Sequence, residues 1–557
     1  MVQSTSSRTA GRWHGDNVLL KQSDGSEFPA LLPSPTPLCF SNSTSPQCSP
    51  LPVQSFKVPS LKLETLTIEL LFEIIEHMDL EDALRFRLVS KHCAEVVLMA
   101  PSILKRLLRH VKLPLPYSPK PIQSLGGKEV ISLCRRAFAL DANWQRKLDR
   151  LRAYSFFPLH RSYLVSLAPG GRYLVAAYHS TSGEEHFIGL YDLENPQGMV
   201  CLASCPTETP LDRLTTTWME IKGKMGIAVT WVREIPINKT HVGSPDVEVS
   251  VLFISLDMIE ALADPEHTTE DAPFEYLCCR RWKSCTIRVC TANGLLAVAR
   301  SPDTLSFYDL ESEEKSTIKL PHLPLSQMAD PVIFAIKIMC DGTALIVRSE
   351  DGHSSQLNLH AIEAYAIPEM GQTAVDPPPV QCNYLHSNQT NYDISSMYQR
   401  QSTSDDPSTE EVIEALAYLP PVTISVESSP PAKGITQYRL FPTYVSEPEP
   451  RFGYVWPVTV WQGHYSEHDQ DRTQTLNVAG ADRSLSFPFT SPGRAQTPAL
   501  SEFMVLDSFG DDTIPSVGLP KSIERDVVQC VSWDESSGKL CLSTVGDLKI
   551  WVLDFAV

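Results

Sequence analysis

The sequence contains no run of eighteen apolar residues, and its opening MVQSTSSRTAGRWH holds no apolar core. Neither a membrane-spanning helix nor a secretory leader is expected from it. Positive charge is not in excess. Lys and Arg number 47 against 66 Asp and Glu, a formal net charge of −19, which disfavours nucleic acid as a partner because its phosphates are repelled. The 14 cysteines are too thinly spread over 557 residues for a disulfide framework. Cys290, Cys340, Cys530 and Cys541 sit inside apolar, strand-like runs, where a reduced thiol behaves as a small hydrophobe. These absences imply a soluble protein of a reducing compartment, cytoplasmic, nuclear or both.

Catalytic signatures are missing too. There is no glycine-rich phosphate loop and no Gly-x-Ser-x-Gly turn. Cys201 and Cys205, and the group Cys278, Cys279, Cys285 and Cys290, lack metal-ligand spacing and matching histidines. No catalytic residue, cofactor site or metal ligand is expected, and an enzyme such as a glycosidase or lactonase would need convergent carboxylates or a metal cluster that the sequence does not offer.

The most informative stretch is Leu66 to Val97, LTIELLFEIIEHMDLEDALRFRLVSKHCAEVV. Leu66, Leu70, Ile74 and Met78 recur every four residues, Leu71 and Ile75 widen the stripe, and Glu69, Glu73 and Glu76 fill the polar side. That is one face of a helix. Asp79, Glu81 and Asp82 place negative charge where a second helix begins, as its dipole favours. The second helix is expected to carry Ala83, Leu84, Leu88 and Val89 on one face. Ser90 is positioned to cap a third, holding Cys93, Ala94, Val96 and Val97. Three helices this short cannot bury all that apolar surface among themselves, so the stripe needs a partner.

The stretch resembles the F-box, by which substrate receptors dock onto the Skp-type linker subunit of SCF ubiquitin ligases. The resemblance lies in Leu66, Glu69-Leu70-Leu71, Ile74, Met78-Asp79, Asp82, Leu84, Arg87-Leu88-Val89-Ser90-Lys91 and Val96. It implies that Leu66, Thr67, Glu69, Leu70, Leu71, Ile74, Met78, Leu84, Leu88 and Val89 form the face that meets the linker, and through it a cullin. Two positions depart from the family, which has Pro where Thr67 stands and an aromatic where Cys93 stands. Thr67 can still cap the first helix, and Cys93 is a smaller apolar residue.

A chain this long needs more than one core. Residues 1–58 are rich in Ser, Thr and Pro without periodicity, and are expected to be a disordered tail. The F-box-like part is placed at 59–108, with Pro101 to Arg109 a basic amphipathic helix. A basic helical linker is placed at 109–153, with a helix from about Gly127 to Leu151 that turns Val130, Ile131, Cys134, Ala137 and Phe138 to one side and presents a solvated basic face.

From 154 to 557 one unit recurs: a glycine turn, an apolar strand, then a strand ending in Asp. Clear copies run from Gly170-Gly171 to Glu194, from Asn293-Gly294 to Glu311 and from Ser537-Gly538 to Asp554. Asn-Gly and Asp-Gly supply the positive φ of tight hairpins. Sheet units that cannot bury both faces alone must stack, either radially as a β-propeller of about six or seven blades or as a β-sandwich array. A largely disordered insertion is expected near 367–434, containing a short helix at Glu410–Tyr418, and a smaller loop at Ser484–Pro498. Trp218, Trp231, Trp282, Trp456 and Trp461 are candidates either for contact anchors or for core.

The expected fold is an α+β multidomain chain: a three-helix F-box, a helical linker, and an all-β, propeller-like domain that binds a protein substrate. The combination is similar to fungal F-box proteins. Its partners are then a Skp-type linker, a cullin and an unknown protein substrate, with no nucleic acid and no membrane. A scaffold that binds the linker without delivering substrates remains the alternative.

Overall fold

The computed structural model describes Leu63, residues 66–109, 115–120, 122–145, 151–158 and 160–180, and from 183 to 556 all but 196–198, 236–244, 265–271, 284, 322–330, 340, 351–358, 387–388, 395–421, 429–433, 446–450, 465–473, 480–482, 490–501, 508–515, 520–522, 524–527 and 545–547. The expected tail 1–58 and the expected helix at Glu410–Tyr418 lie outside the described residues.

The apolar period at 66–78 becomes α1 (Ile68–Glu76). Asp79 caps α2 (Leu80–Phe86), its carboxylate accepting the Asp82 N–H at 2.7 Å. Ser90 caps α3 (Lys91–Met99) by accepting the Cys93 N–H at 3.1 Å. Pro101 opens α4 (Pro101–Arg109), where a missing N–H costs nothing. The fifth helix is α5 (Gly127–Gln145). Leu71, Ile75, Ala83, Cys93, Val97, Leu104, Ile131 and Cys134 share one buried core, so α1–α4 and the first half of α5 are one body.

From Arg152 onward the chain forms seven sheets. The first blade runs Arg161–Leu167, Tyr173–His179, His186–Asp192 and Val200–Thr207, each strand beside its predecessor. The same order repeats over 213–282, 287–319, 332–386, 389–464 and 474–518. The seventh blade takes Val528–Asp534, Lys539–Thr544 and Ile550–Asp554, and its outermost strand is Arg152–Phe156, brought back from the start of the β region. The innermost strand of each blade touches that of the next, and the seventh touches the first. The ring is closed, and the fold is a seven-bladed β-propeller rather than a sandwich array.

The repeated unit has a clear mechanical content. Asn293 and Gly294 both have positive φ, 54° and 73°, in a two-residue turn between the first two strands of the third blade. The aspartates that end the third strands of blades one, three and seven each accept a backbone N–H two residues on: Glu194 on Asp192 at 2.9 Å, Glu311 on Asp309 at 2.8 Å, and Ala556 on Asp554 at 3.0 Å. The intervening residue donates its N–H back to the blade's first turn, Leu310 to Gly294 and Phe555 to Gly538.

Two expectations need correction. The stretch 367–434 is not a wholesale interruption, because it contains the strands Thr373–Val375, Gln381–His386, Gln389–Ile394 and Val422–Ser428 of blades three, four and five. Arg483–Phe489 is likewise a paired strand where a loop was expected. Gln389–Ile394 is largely polar and Arg483–Phe489 contains Pro488, which hides their pairing from composition.

The helical body is seated on the ring by the second half of α5. Leu140 packs into the seventh blade's core with Trp533, Leu540 and Phe555, and Trp144 stacks on Phe555 with centroids 5.9 Å apart. The side chain of Asn143 donates to the Phe555 carbonyl at 2.7 Å. Arg136 donates to the Ser537 carbonyl at 2.6 Å and to Asp554 at 2.8 Å, so it is a docking residue and no part of a solvated face. Gly538 has φ +65°, which favours glycine, and a Cβ there would lie 2.5 Å from Leu140 Cδ1 and push that side chain aside. Beside this seam, buried Lys539 bridges blades seven and one, donating to the Gly171 carbonyl at 2.9 Å and to Glu194 at 2.6 Å.

Leu140 is 1% exposed. Leu140→Ala is expected to destabilise the protein by about 2–5 kcal/mol, read by urea denaturation. A second expectation concerns pH. Glu248, 2% exposed, accepts from Arg233 at 2.7 Å and Arg281 at 2.5 Å. Burial pushes its carboxyl up, but the two arginines outweigh burial and hold it below the ordinary 4.5. The unfolded chain therefore binds the proton more tightly, and this contribution is complete above pH 4.5 and lost as pH falls through the lower folded value. Glu248→Gln should cost about 3 kcal/mol at neutral pH, with the gap to wild type narrowing in denaturation curves taken below pH 4.5.

Candidate partner-docking surface

The ten residues expected to meet a partner do not lie on one face. Leu71 is fully buried in the helical core. Leu66, Ile74, Met78 and Leu84 are half-buried and pack against that core. Thr67 occupies the N-cap position of α1 but its side chain makes no capping bond, and it is exposed. Glu69, in the first turn, is exposed, with its carboxylate held below its ordinary value first by its own backbone N–H and then by the Thr67 hydroxyl. Leu70, Leu88 and Val89 project outward, at 51%, 78% and 66% exposure.

The expected apolar face of the second helix is corrected here. The helix α2 stops at Phe86 and buries Leu80, Ala83 and Phe86. Leu88 and Val89 follow it in a turn whose N–H groups reach back only three residues, to Arg85 at 2.8 Å and Phe86 at 3.1 Å. The turn swings both side chains off the helical face and into solvent. Two exposed residues were not anticipated, Leu63 at 41% and Met99 at 57%. Met99 was legible in principle: on α3 the buried positions are Cys93, Val96 and Val97, and a residue two beyond Val97 points away from them.

Residues 63–105 match the family model described as the F-box domain. The chain carries an F-box. No curated protein matches the chain. Among solved structures the protein is similar to the β-propeller domain of Myceliophteria thermophila Cps50 (Swd1), with TM-score 0.40 and 9% identity over 72% of this chain and 99% of that one. It is similar to the C-terminal WD40 domain of Sif2, at 0.32 and 9% over 72% and 98%. A third is the β-propeller domain of the Trilobed protease from Pyrococcus furiosus, at 0.35 and 9% over 72% and 94%. The propeller fold rests on the closed ring of seven blades, not on these loose overlaps.

Within the F-box, Cys93 is 1% exposed and fills the core position where the family has an aromatic. The F-box match ends inside α4, while the core that supports it runs on into α5. Among the described residues no group of three or more His, Cys, Asp and Glu is placed to hold a metal. The described cysteines are free thiols, and burial pushes those of Cys134 and Cys541 up to about 12. Trp218 and Trp231 are core residues at 8% and 3% exposure, and Trp282 packs edge-on against Tyr308. Trp456 and Trp461 lie in the strand Arg451–His464. No described helix is long and apolar enough to cross a membrane.

The division between core and outward residues is testable. Leu71→Ala is expected to lower stability by about 2–5 kcal/mol, whereas Leu88→Ala should change it by no more than about 0.5 kcal/mol, both read by thermal or chemical denaturation.

Proposed function

We propose that the protein is a substrate-receptor subunit of an SCF-type ubiquitin ligase. The observation that carries this reading is the coincidence of an F-box at 63–105 with outward-facing Leu70, Leu88 and Val89. Fully burying an exposed Leu or Val side chain is worth about 1.5–3 kcal/mol, so these three are apolar anchors that a Skp-type linker could cover. Through the linker the chain reaches a cullin, and the propeller holds a protein substrate. The chemistry of ubiquitin transfer then belongs to other subunits, in the cytoplasm or nucleus. This chain contributes proximity, raising the effective concentration of substrate lysines at the conjugating enzyme without touching the reacting atoms.

The seam between α5 and the ring supports such a role. It lies at turns between first and second strands, at Ser537–Gly538 in the seventh blade. The opposite rim, where the innermost strands begin, is left for the substrate. A rigid joint holds that rim in a constant relation to the F-box, as presentation of a substrate requires.

The test is co-purification of the full chain with a Skp-type linker and a cullin. Wild type is expected to capture both, and a Leu70→Asp, Leu88→Asp double variant neither, with its thermal stability unchanged. Capture of the linker without the cullin would favour a scaffold that delivers no substrate. Failure of wild type to capture the linker would overturn the proposal.

A further inference from the structure

The hairpin of Tyr173–His179 and His186–Asp192 in blade one ends in two histidines that stand directly opposite each other, His179 and His186. One step further out, the Ser180 N–H donates to the Glu185 carbonyl at 2.8 Å, which makes those two a hydrogen-bonded pair. Antiparallel pairs alternate. His179 and His186 therefore form a non-hydrogen-bonded pair, the kind whose Cα atoms are about 4.5 Å apart and whose side chains come closest. Their rings share one face of the blade, with centroids 5.9 Å apart and planes at 80°. From the strand on its other side, His179 is backed by Tyr163, stacked at 5.1 Å with planes within 17°. Tyr163 is itself fixed, since its hydroxyl accepts the Leu211 N–H at 2.9 Å.

The nitrogens of this pair are not used by the fold. The His186 Nδ1 is buried without a hydrogen-bonding partner, and neither imidazole is hydrogen-bonded among the described residues. Both side chains are partly exposed, so the pair opens to solvent. The turn between the two histidines joins the second and third strands of the blade. It thus lies on the rim opposite the α5 seam, away from the helical body. Arg161 stands opposite His179 in the innermost strand, and Glu184 and Glu185 are exposed in the turn. Two carboxylates at this end of the blade offset the one fixed cation beside the pair.

We propose that His179 and His186 together chelate a divalent transition-metal ion of the zinc type. Imidazole nitrogen is a ligand such ions favour, whereas Mg2+ and Ca2+ prefer oxygen. With metal–nitrogen bonds of about 2.0–2.1 Å, two imidazoles on one tetrahedral ion have ring centroids roughly 5 Å apart. The pair reaches that geometry by ring rotation and an approach of under about 1 Å, while Tyr163 keeps the His179 ring from turning away. Among the described residues no third His, Cys, Asp or Glu is placed to complete the set, so water fills the remaining positions. The site is independent of the F-box and of any linker.

Equilibrium dialysis of the full chain against Zn2+, followed by metal analysis, tests the proposal. Zinc held by thiols elsewhere is common to all the proteins compared, so the difference between them reports this site. His179→Gln and His186→Gln are each expected to retain one equivalent fewer than wild type, because losing either ring weakens the site at least about tenfold. Excess Mg2+ should not displace the ion. His160→Gln is the control. Its ring packs against Tyr178 and Phe187, the neighbours of the pair in each strand and therefore on the opposite face, and zinc retention should not change. Thermal denaturation without metal shows that each variant is folded. Diffraction from wild-type crystals at the zinc absorption edge needs no variant, and is expected to place an ion between the two rings. Equal zinc retention by wild type and the His179 and His186 variants, or no ion between the rings, would overturn the proposal.

Discussion

Arg136, Leu140, Asn143 and Trp144 occupy two turns of α5, and they hold the last residues of the chain against a helix some four hundred residues earlier. The blade they grip is also the blade that closes the ring, through the pairing of Arg152–Phe156 with Ile550–Asp554. Ring closure and helical docking thus draw on the same few residues. Asp554 illustrates the economy, since one carboxylate caps its own turn and receives the guanidinium of Arg136. Such a joint is bonded on its polar groups and packed on its apolar ones, so the helical body has little freedom to rotate on the propeller.

The rest of the ring repeats one solution to a general problem. Each blade of four or five strands is too small to bury its own faces, and stacking neighbours buries a continuous core between them. The buried charge of Arg348 is paired with that of Glu363, because removing either partner would leave a lone buried charge at high cost.

Local features of the sequence were the legible ones. The order and spacing of residues from Leu66 to Val96 sufficed to recognise the F-box, Ser90 caps the helix it was expected to cap, and Asp79, read as charge at a helix start, caps that helix as well. The glycine turns and strand-ending aspartates marked the blades, because each is a local hydrogen-bonding device. What escaped was set by distant contacts or by an early stop in a period. Leu88 and Val89 fit the helical spacing, but α2 ends two residues too soon to use it. Arg136 read as a solvated base because nothing nearby in sequence announces a partner 418 residues away. The strands Gln389–Ile394 and Arg483–Phe489 looked like loops because the pairing that makes them strands is with Val422–Ser428 and Gln474–Ala479, which their own composition does not announce.

The central physical claim is that the F-box body and the propeller form one mechanical unit through the α5 seam. Native-state hydrogen exchange tests it most directly. If the seam is as tight as its contacts imply, the amides of α5 from Arg136 to Trp144 and those of the strands Lys539–Thr544 and Ile550–Asp554 open together, with the same free energy and the same denaturant dependence. If α5 exchanges with the rest of the helices while the seventh blade stays protected, the two parts are independently stable bodies, and a fixed presentation geometry is contradicted.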